Sequence, residues 1–366
     1  MAESAAVALV RCGSYDDSEV SRAVGTAIEL IGGWGAFLKP EEKILLKPNL
    51  LRGAAPENAV TTHPSILKAV ADLLREGGFA HLSYGDSPGR LSMKSVARTA
   101  GLAKVAGDVG LPEADFKHSS TVSYEGTNFT ICRGVLEADA IVSLPKMKTH
   151  ALERITGAVK NTYGCIHGIH KVAGHTRYPD SKSFGAMLAK LERGVKPRLY
   201  IMDGVVAMEG NGPASGDPIN MNVILASGDP YALDEVFCRL IALNPALVPT
   251  NTHAPDRDVV IRTPQGEISW LDAFRQYGAK DFRVDRSVDA GGDGGSDSRL
   301  SKAMQQRPVI QKDLCQSCKV CVESCPLSGK ALSMKGDYPV YDYDQCIRCY
   351  CCQEMCPHGA ISVSRP

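Results

Sequence analysis

The chain has 366 residues, in which 41 Lys and Arg are balanced by 41 Asp and Glu. That length predicts two or three domains, and the zero net charge offers no global attraction to nucleic acid or an anionic membrane. No stretch nears the roughly 20 apolar residues of a membrane span, and the first ten residues lack the basic start of a signal peptide, so the expectation is a cytoplasmic protein with no membrane or nucleic-acid partner.

Residues 6–11 form a short apolar run that reads as a strand, and 17–31 has helical spacing. KILLK at 43–47 is a second strand, ended by Pro48. Residues 63–76 read as a helix, with Pro64 near its start and Gly77-Gly78 at its close. Further strands are expected at 80–84, 140–144 (AIVSL), 198–202 (RLYIM) and 221–226, followed by a helix over 229–241 that Asp229 caps. This alternation predicts an α/β body with a largely parallel sheet over residues 1–290. The polar run GGDGGSDS at 291–298 marks a linker, expected over 291–307. Residues 308–366 then form a small α+β C-terminal domain.

There are 13 Cys, and nine of them fall between Cys315 and Cys356. Without a signal peptide, such density suggests metal rather than disulfides. Cys315, Cys318, Cys321 and Cys325 are spaced C-x2-C-x2-C-x3-C and followed by Pro326. Cys346, Cys349, Cys352 and Cys356 repeat the spacing, followed by Pro357. Three thiolates on one tight loop reach three irons of a cubane, while the Cys before Pro turns to the other cluster. Two 4Fe–4S clusters follow, one on Cys315, Cys318, Cys321 and Cys356, the other on Cys346, Cys349, Cys352 and Cys325. The rival reading is a pair of zinc knuckles, which need neither the third closely spaced Cys nor the Pro. Cys351 is a ninth, unassigned thiol. Cys12, Cys132, Cys165 and Cys238 are scattered through the body and read as buried free thiols.

Polar residues collect at expected strand ends, where open α/β sheets build their sites. Lys47, Lys146, Lys148 and Lys160, with Asn49, Asp86 and Asn161, make a candidate pocket for a carboxylate or phosphate. Residues 156–161 are expected to open a helix whose free N–H groups favour an anion. His150 is the candidate acid, since histidine titrates near neutral pH. Asp203 and Glu209 flank an expected Gly-rich loop as candidate proton donors or metal ligands. Residues 164–180 read as a mobile loop over the site, hinged at Gly164, Gly168 and Gly174. A metal site on His167, His170, His175 and Cys165 is the weaker alternative. No dinucleotide or P-loop fingerprint is present.

The tail resembles bacterial two-cluster ferredoxins over nearly its whole length. It departs from them at Lys319 and Tyr350, where that family often has Gly, and in a longer stretch after Pro326. Several body segments resemble the family catalogued as domain of unknown function 362. They are Lys47-Pro48-Asn49, Gly85-Asp86-Ser87, Leu144-Pro145-Lys146-Met147-Lys148-Thr149-His150, Gly157-Ala158-Val159-Lys160-Asn161, Asp203-Gly204 and Gly210-Asn211-Gly212-Pro213. That resemblance implies an α/β body with a shared site, and no particular reaction.

The fusion of a two-cluster module to a pocket-bearing body suggests an iron–sulfur oxidoreductase. It would take electrons from ferredoxin or flavodoxin and reduce a small anionic substrate at an activated C=C or C=O bond. The alternative is a non-catalytic electron carrier or accessory protein that docks a partner redox enzyme.

Overall fold

The structure, a computed structural model, describes residues 3–89, 91–287, 306–327 and 329–365. The stretch expected as a linker lies outside the described residues except for 306 and 307. The body contains β1 (Glu3–Arg11), β2 (Ile44–Pro48), β3 (Leu82–Tyr84), β4 (Ser119–Tyr124), β5 (Thr127–Cys132), β6 (Ala140–Leu144), β7 (Lys146–His150), β8 (Arg154–Thr156), β9 (Leu199–Glu209), β10 (Asp217–Ser227), β11 (Arg257–Thr263) and β12 (Gly266–Ile268). Ten of them make one sheet in the order β12-β11-β1-β10-β9-β6-β2-β3, with β7 on β9 and β8 on β7. β4 and β5 form a separate hairpin.

The sheet is mixed and largely parallel. β2 lies parallel to β3 and β6, β6 and β7 parallel to β9, and β1 parallel to β11. β10 runs antiparallel to both β1 and β9. β2 and β6 are buried along their whole length, as expected of strands covered on both faces. One face packs on the helices Asp17–Leu30 and Pro64–Glu76 through Val20, Val24, Ile66 and Val70. Another part packs on Pro230–Leu240 through Val236 and Phe237. Asp229 caps that helix, its Oδ1 accepting from the N–H groups of Tyr231 and Ala232 at 2.8 and 2.9 Å.

Three expected elements differ. The loop after residue 202 is absent, because β9 continues to Glu209 and pairs with β10 along nearly its whole length. Lys146–His150, expected as a loop, is strand β7, separated from β6 by Pro145. The expected mobile loop over 164–180 is instead the 3-10 turn Thr162–Cys165 followed by the helix Gly168–Arg177.

The tail is small and built from two antiparallel ribbons, β13 (Arg307–Ile310) with β16 (Ile361–Ser364) and β14 (Leu332–Lys335) with β15 (Tyr338–Tyr341). Two short helices, Val320–Glu323 and Cys351–Met355, carry cysteines. Among the described residues, no helix is long and apolar enough to cross a membrane.

Candidate active site

Each four-Cys run folds as a tight loop leading into a short helix. Positive φ at Ser317, Lys319, Arg348 and Tyr350 turns the chain inside those loops. Lys319 and Tyr350 thus take up the left-handed backbone that Gly adopts freely. Two recesses result. Cys315, Cys318, Cys321 and Cys356 line one, with about 340 Å³ of free space including its mouth. Cys325, Cys346, Cys349 and Cys352 line the other, with about 330 Å³. In each, three thiols come from one run and the fourth from the Cys before Pro in the other run. Among the described residues, no three His, Cys, Asp or Glu converge as they would on a single metal ion. Four thiols spread around a recess suit a cubane with separated irons, whereas one zinc needs all its sulfurs about 2.3 Å from a single centre. The thiol arrangement therefore fits two 4Fe–4S clusters.

The tail docks on the body through the helix Cys351–Met355. Gln353 is fully buried, and its Nε2 donates to the backbone oxygen of Asn211, to Asn211 Oδ1 and to the backbone oxygen of Gly212 at 2.9–3.1 Å. Arg52 donates to the carbonyls of Cys356 and Ala214 at 2.7 and 2.6 Å, and Asn211 Nδ2 donates to the carbonyl of Ile361 at 3.0 Å. The Gly210-Asn211-Gly212-Pro213 segment, noted in the sequence without a role, is thus the seat of the cluster domain.

Docking encloses a cavity of about 750 Å³, counting its open mouth. Asn49, Asp86, Lys160, Asn161, Lys171 and His175 line the body side, and Ser324, Cys351, Glu354 and Met355 line the tail side. Ser324 precedes Cys325, and Cys351 precedes Cys352, so the second recess lies next to the cavity wall.

The body side is built on local necessities. Asp86 is saturated by Lys47 Nζ at 2.9 Å and by the N–H groups of Leu50 and Ser87 at 2.6 and 3.0 Å. Gly164 lies over this pair, and a Cβ there would meet Asp86 Oδ1 at 1.8 Å and Lys47 Nζ at 2.5 Å. Gly164 therefore serves close approach, not hinging. Asn49 Nδ2 donates to Asn161 Oδ1 at 3.0 Å, and Asn161 Nδ2 donates to Ser143 Oγ at 2.9 Å. The turn Ala158–Asn161 presents Lys160 and Asn161, but its free N–H groups are not open to an anion. Asp234, fully enclosed, accepts from Ala158 and Val159 at 2.6 and 3.1 Å. Gly157 leaves room for it, since a Cβ there would lie 2.0 Å from Asp234 Oδ1.

Lys160 and Lys171 both stand beside the Tyr163 ring, their Nζ atoms 5.9 and 5.6 Å from its centroid. Neither has an ion-pair partner among the described residues. Lys171 Nζ also donates to the carbonyl of Ser87. Burial pushes the Lys171 amine down to about 8, partly offset by Asp86. His175 stacks on Phe184 at 4.5 Å, and burial pushes it down to about 4, so it is neutral at pH 7. Buried polar atoms of three lining residues, Asn49 Oδ1, Thr156 Oγ1 and His175 Nδ1, have no partner among the described residues. Leaving such atoms unmet costs about 1–3 kcal/mol each, so a ligand or water is expected on them.

Other residues singled out from the sequence lie away from this cavity. Lys146 pairs with Asp203 at 2.7 Å, and Asp203 also accepts from Tyr15 Oη and the His63 N–H at 2.8 and 2.9 Å. Both are fully buried, so this is an internal ion pair and not a proton donor beside an anion site. Lys148 donates to the carbonyl of Val60 at 2.6 Å, and burial, reinforced by Lys160, drives its amine well below the ordinary range. Glu209 is engaged by Arg283 at 2.7 Å on the far end of β9. His150 accepts from the N–H groups of Leu152 and Glu153 through Nδ1, and its Nε2 lies 2.8 Å from Glu354 Oε1, off the ideal hydrogen-bond line. Burial pushes His150 down to about 4. For Glu354, burial would raise the carboxyl, but His150, Lys160 and His175 outweigh it and hold the group low. His150 therefore sits behind Glu354 rather than in the cavity.

The sequence reading missed Tyr163, Lys171, His175, Glu354 and Cys351 as members of the site. The histidines and Cys165 do not gather: the His167 and His170 rings are 6.0 Å apart, while His175 turns onto Phe184.

Residues 44–239 match the family described as Domain of unknown function (DUF362), and residues 307–357 match a 4Fe–4S dicluster domain, which implies two such clusters. A thylakoid-associated protein of Synechocystis sp. is 36% identical over 247 residues, covering 67% of this chain and 77% of that protein. Among solved structures, the lactate racemase apoprotein of Thermoanaerobacterium thermosaccharolyticum superposes with a TM-score of 0.42 at 12% identity, over 64% of this chain and 56% of that one. A protein from Thermotoga maritima gives 0.32 at 12% identity, over 53% and 51%. This chain thus spans about half the length of either structure. The first match takes in more than half of the residues, and the chain belongs to the DUF362 family, with a 4Fe–4S dicluster domain at its C-terminal end.

Proposed function

We propose that this chain is an iron–sulfur oxidoreductase that passes low-potential electrons to a small anionic substrate held between body and tail. One observation carries the reading. A single cavity wall joins Lys160 and Lys171 of the body to Ser324 and Cys351, the immediate neighbours of Cys325 and Cys352. In this reading Cys315, Cys318, Cys321 and Cys356 hold an outer cluster, and Cys325, Cys346, Cys349 and Cys352 an inner one. When bound, the clusters supply single electrons at low potential. Such thiol ligation suits a reducing compartment such as the cytoplasm.

The protein's own residues do the rest. Lys160 and Lys171 seat a carboxylate or phosphate. Asn49 Oδ1, Thr156 Oγ1 and His175 Nδ1 orient the remainder of the molecule. Lys171, charged at pH 7 and half-buried, is placed to give up a proton to the reduced substrate. His150 positions Glu354, and Asp203 and Glu209 take no catalytic part. Reduction of an activated C=C or C=O bond consumes two electrons and two protons, and ferredoxin or flavodoxin supplies the electrons.

Anaerobic single turnover tests this. The protein is loaded, reduced, and mixed with fractionated metabolites while the visible absorbance is followed. Reoxidation by one fraction is expected, slowed on the order of tenfold or more in Lys160→Met at unchanged iron content. Reduced protein that no fraction reoxidises, yet which exchanges electrons quickly with a partner protein, would establish a carrier instead.

A further inference from the structure

We infer that Tyr341 tunes the inner site, its hydroxyl donating to Cys352 and so raising the reduction potential of the cluster beside the cavity. For the direction of electron flow this rests on the reading that electrons leave through the inner recess.

Tyr341 Oη lies 3.1 Å from Cys352 Sγ. A thiolate that ligates iron carries no proton, so the hydroxyl donates and the sulfur accepts. The ring is held in place for this. It closes β15 opposite Leu332 and stacks on Tyr343, with centroids 5.4 Å apart and planes 19° apart. Tyr343 is fixed in turn by its hydroxyl on the Pro308 carbonyl at 2.9 Å and by the Arg307 guanidinium 4.4 Å from its ring.

The tail contains its own control. PVIQKDLC at 308–315 and PVYDYDQC at 339–346 are matching halves of its repeat. Pro339 of the second half lines the outer recess and Pro308 of the first half lines the inner one, so the two recesses are built alike. Ile310 ends β13 and lines the outer recess, whereas Tyr341 ends β15 and lines the inner one. At matching positions the outer recess therefore has an aliphatic side chain and the inner recess a hydrogen-bond donor. In the outer recess the Ala360 N–H donates to Cys356 Sγ at 3.3 Å, a backbone contact that no side chain decides.

Reduction adds one negative charge to a centre already ringed by four thiolates, and its cost grows as water is withdrawn. Cys318 of the outer recess is exposed, while no thiol of the inner recess is. Cations serve both sites, Lys319 lining the outer recess and Arg348 held on the Cys346 carbonyl at 3.4 Å. Burial therefore weighs against reduction of the inner site. A hydrogen bond to a ligand sulfur stabilises the added charge, and Tyr341 supplies one where burial costs most. In the step itself, one electron moves from the reduced outer site to the oxidised inner site. Tyr341 keeps its proton, and no bond is made or broken.

The test is a potentiometric titration of the cluster-loaded protein, with both one-electron couples followed by EPR and neither substrate nor partner protein present. Lys319→Gly, which suits the positive φ at that position, identifies the outer couple by lowering it. Tyr341→Phe, at unchanged iron content, should lower the other couple. Its reduced-to-oxidised ratio at fixed potential should fall about threefold to tenfold, about 30–60 mV for one electron. Ile310→Tyr places a hydroxyl at the matching outer position and should raise the couple that Lys319→Gly lowers. In the unaltered protein, transfer into D2O should shift the iron–thiolate stretching bands more than it does in Tyr341→Phe. The inference is overturned if Tyr341→Phe leaves both couples in place, or moves the same couple as Lys319→Gly. If Tyr341→Phe does not retain iron, an Ile310→Tyr protein with both couples unmoved overturns it instead. Potentials read without substrate report on Tyr341 alone, so a cavity that reduces no metabolite fraction would leave this result standing.

Discussion

Lys171 lies in a helix, enclosed beside the Tyr163 ring, where burial lowers its amine to about 8 against the pull of Asp86. Such an amine is charged at pH 7 and loses its charge as pH rises through that value. Affinity for a small carboxylate probe such as fumarate is therefore expected to be level below pH about 8 and to fall about tenfold per unit above it. Lys171→Arg should move the fall to higher pH, because guanidinium keeps its proton. Calorimetric titration across this range is the check, and an affinity unaffected by pH would remove Lys171 from anion binding. Asn49, Asp86, Lys160 and Asn161 line the cavity. Lys47, Lys146 and Asp203 do not, because buried charges of opposite sign pair with each other before any ligand arrives. That pairing joins positions far apart in the chain, such as 146 and 203, and no local pattern announces it.

The turn Ala158–Asn161 places Lys160 through an acceptor more than seventy residues away. Asp234 takes the N–H groups of Ala158 and Val159, although burial raises its carboxyl to about 7. Asp234→Ala is expected to cost about 1–3 kcal/mol, read as a lower urea midpoint. It should also weaken the carboxylate probe without touching a lining residue. Asp234→Asn, which keeps one acceptor, should recover part of both losses. If both variants lose stability but bind the probe normally, the cap does not position Lys160. The strands were legible because apolar runs such as AIVSL and the LYIM of residues 199–202 are buried on both faces. β9 ran past its expected end because Asp203, a polar stop signal in sequence, is neutralised by Lys146 within the sheet. The helix Gly168–Arg177 was read as a loop because its glycines and histidines look like hinge and solvent residues. Its inward side instead fits narrow gaps, with buried His175 on Phe184 and half-buried Gly174 against the Tyr163 hydroxyl.

The whole molecule depends on the seating of the tail. Gln353, Asn211 and Arg52 hold the helix Cys351–Met355 against the body, and that helix closes the cavity while carrying Cys352. Asn211→Ala combined with Gln353→Ala removes several hydrogen bonds worth about 1 kcal/mol each. Iron content should be retained, since no cysteine changes. Hydrogen exchange over 351–355 should speed up, and electron delivery to a cavity-bound acceptor should slow. Unchanged exchange would mean that the remaining contacts, Arg52 on the Cys356 carbonyl and His150 against Glu354 among them, hold the tail without this pair.

The sequence by itself determined two things here. The repeated Cys spacing specified two four-thiol sets, because a short loop before a Pro leaves its last thiol only the neighbouring recess to reach. The alternation of apolar runs and amphipathic helices specified the α/β body, because burial on both faces writes a continuous apolar signature into each strand. Which polar residues meet a ligand was decided only in three dimensions. Lys146, Lys148 and His150 lie within a few residues of one another, yet each is already engaged inside the fold, with Asp203, the Val60 carbonyl and Glu354. Lys160 and Lys171 have no ion-pair partner among the described residues and line the cavity. The cavity they face exists because the tail helix Cys351–Met355, far along the chain, is docked over them, and a contact of that kind leaves no periodicity for the sequence to show.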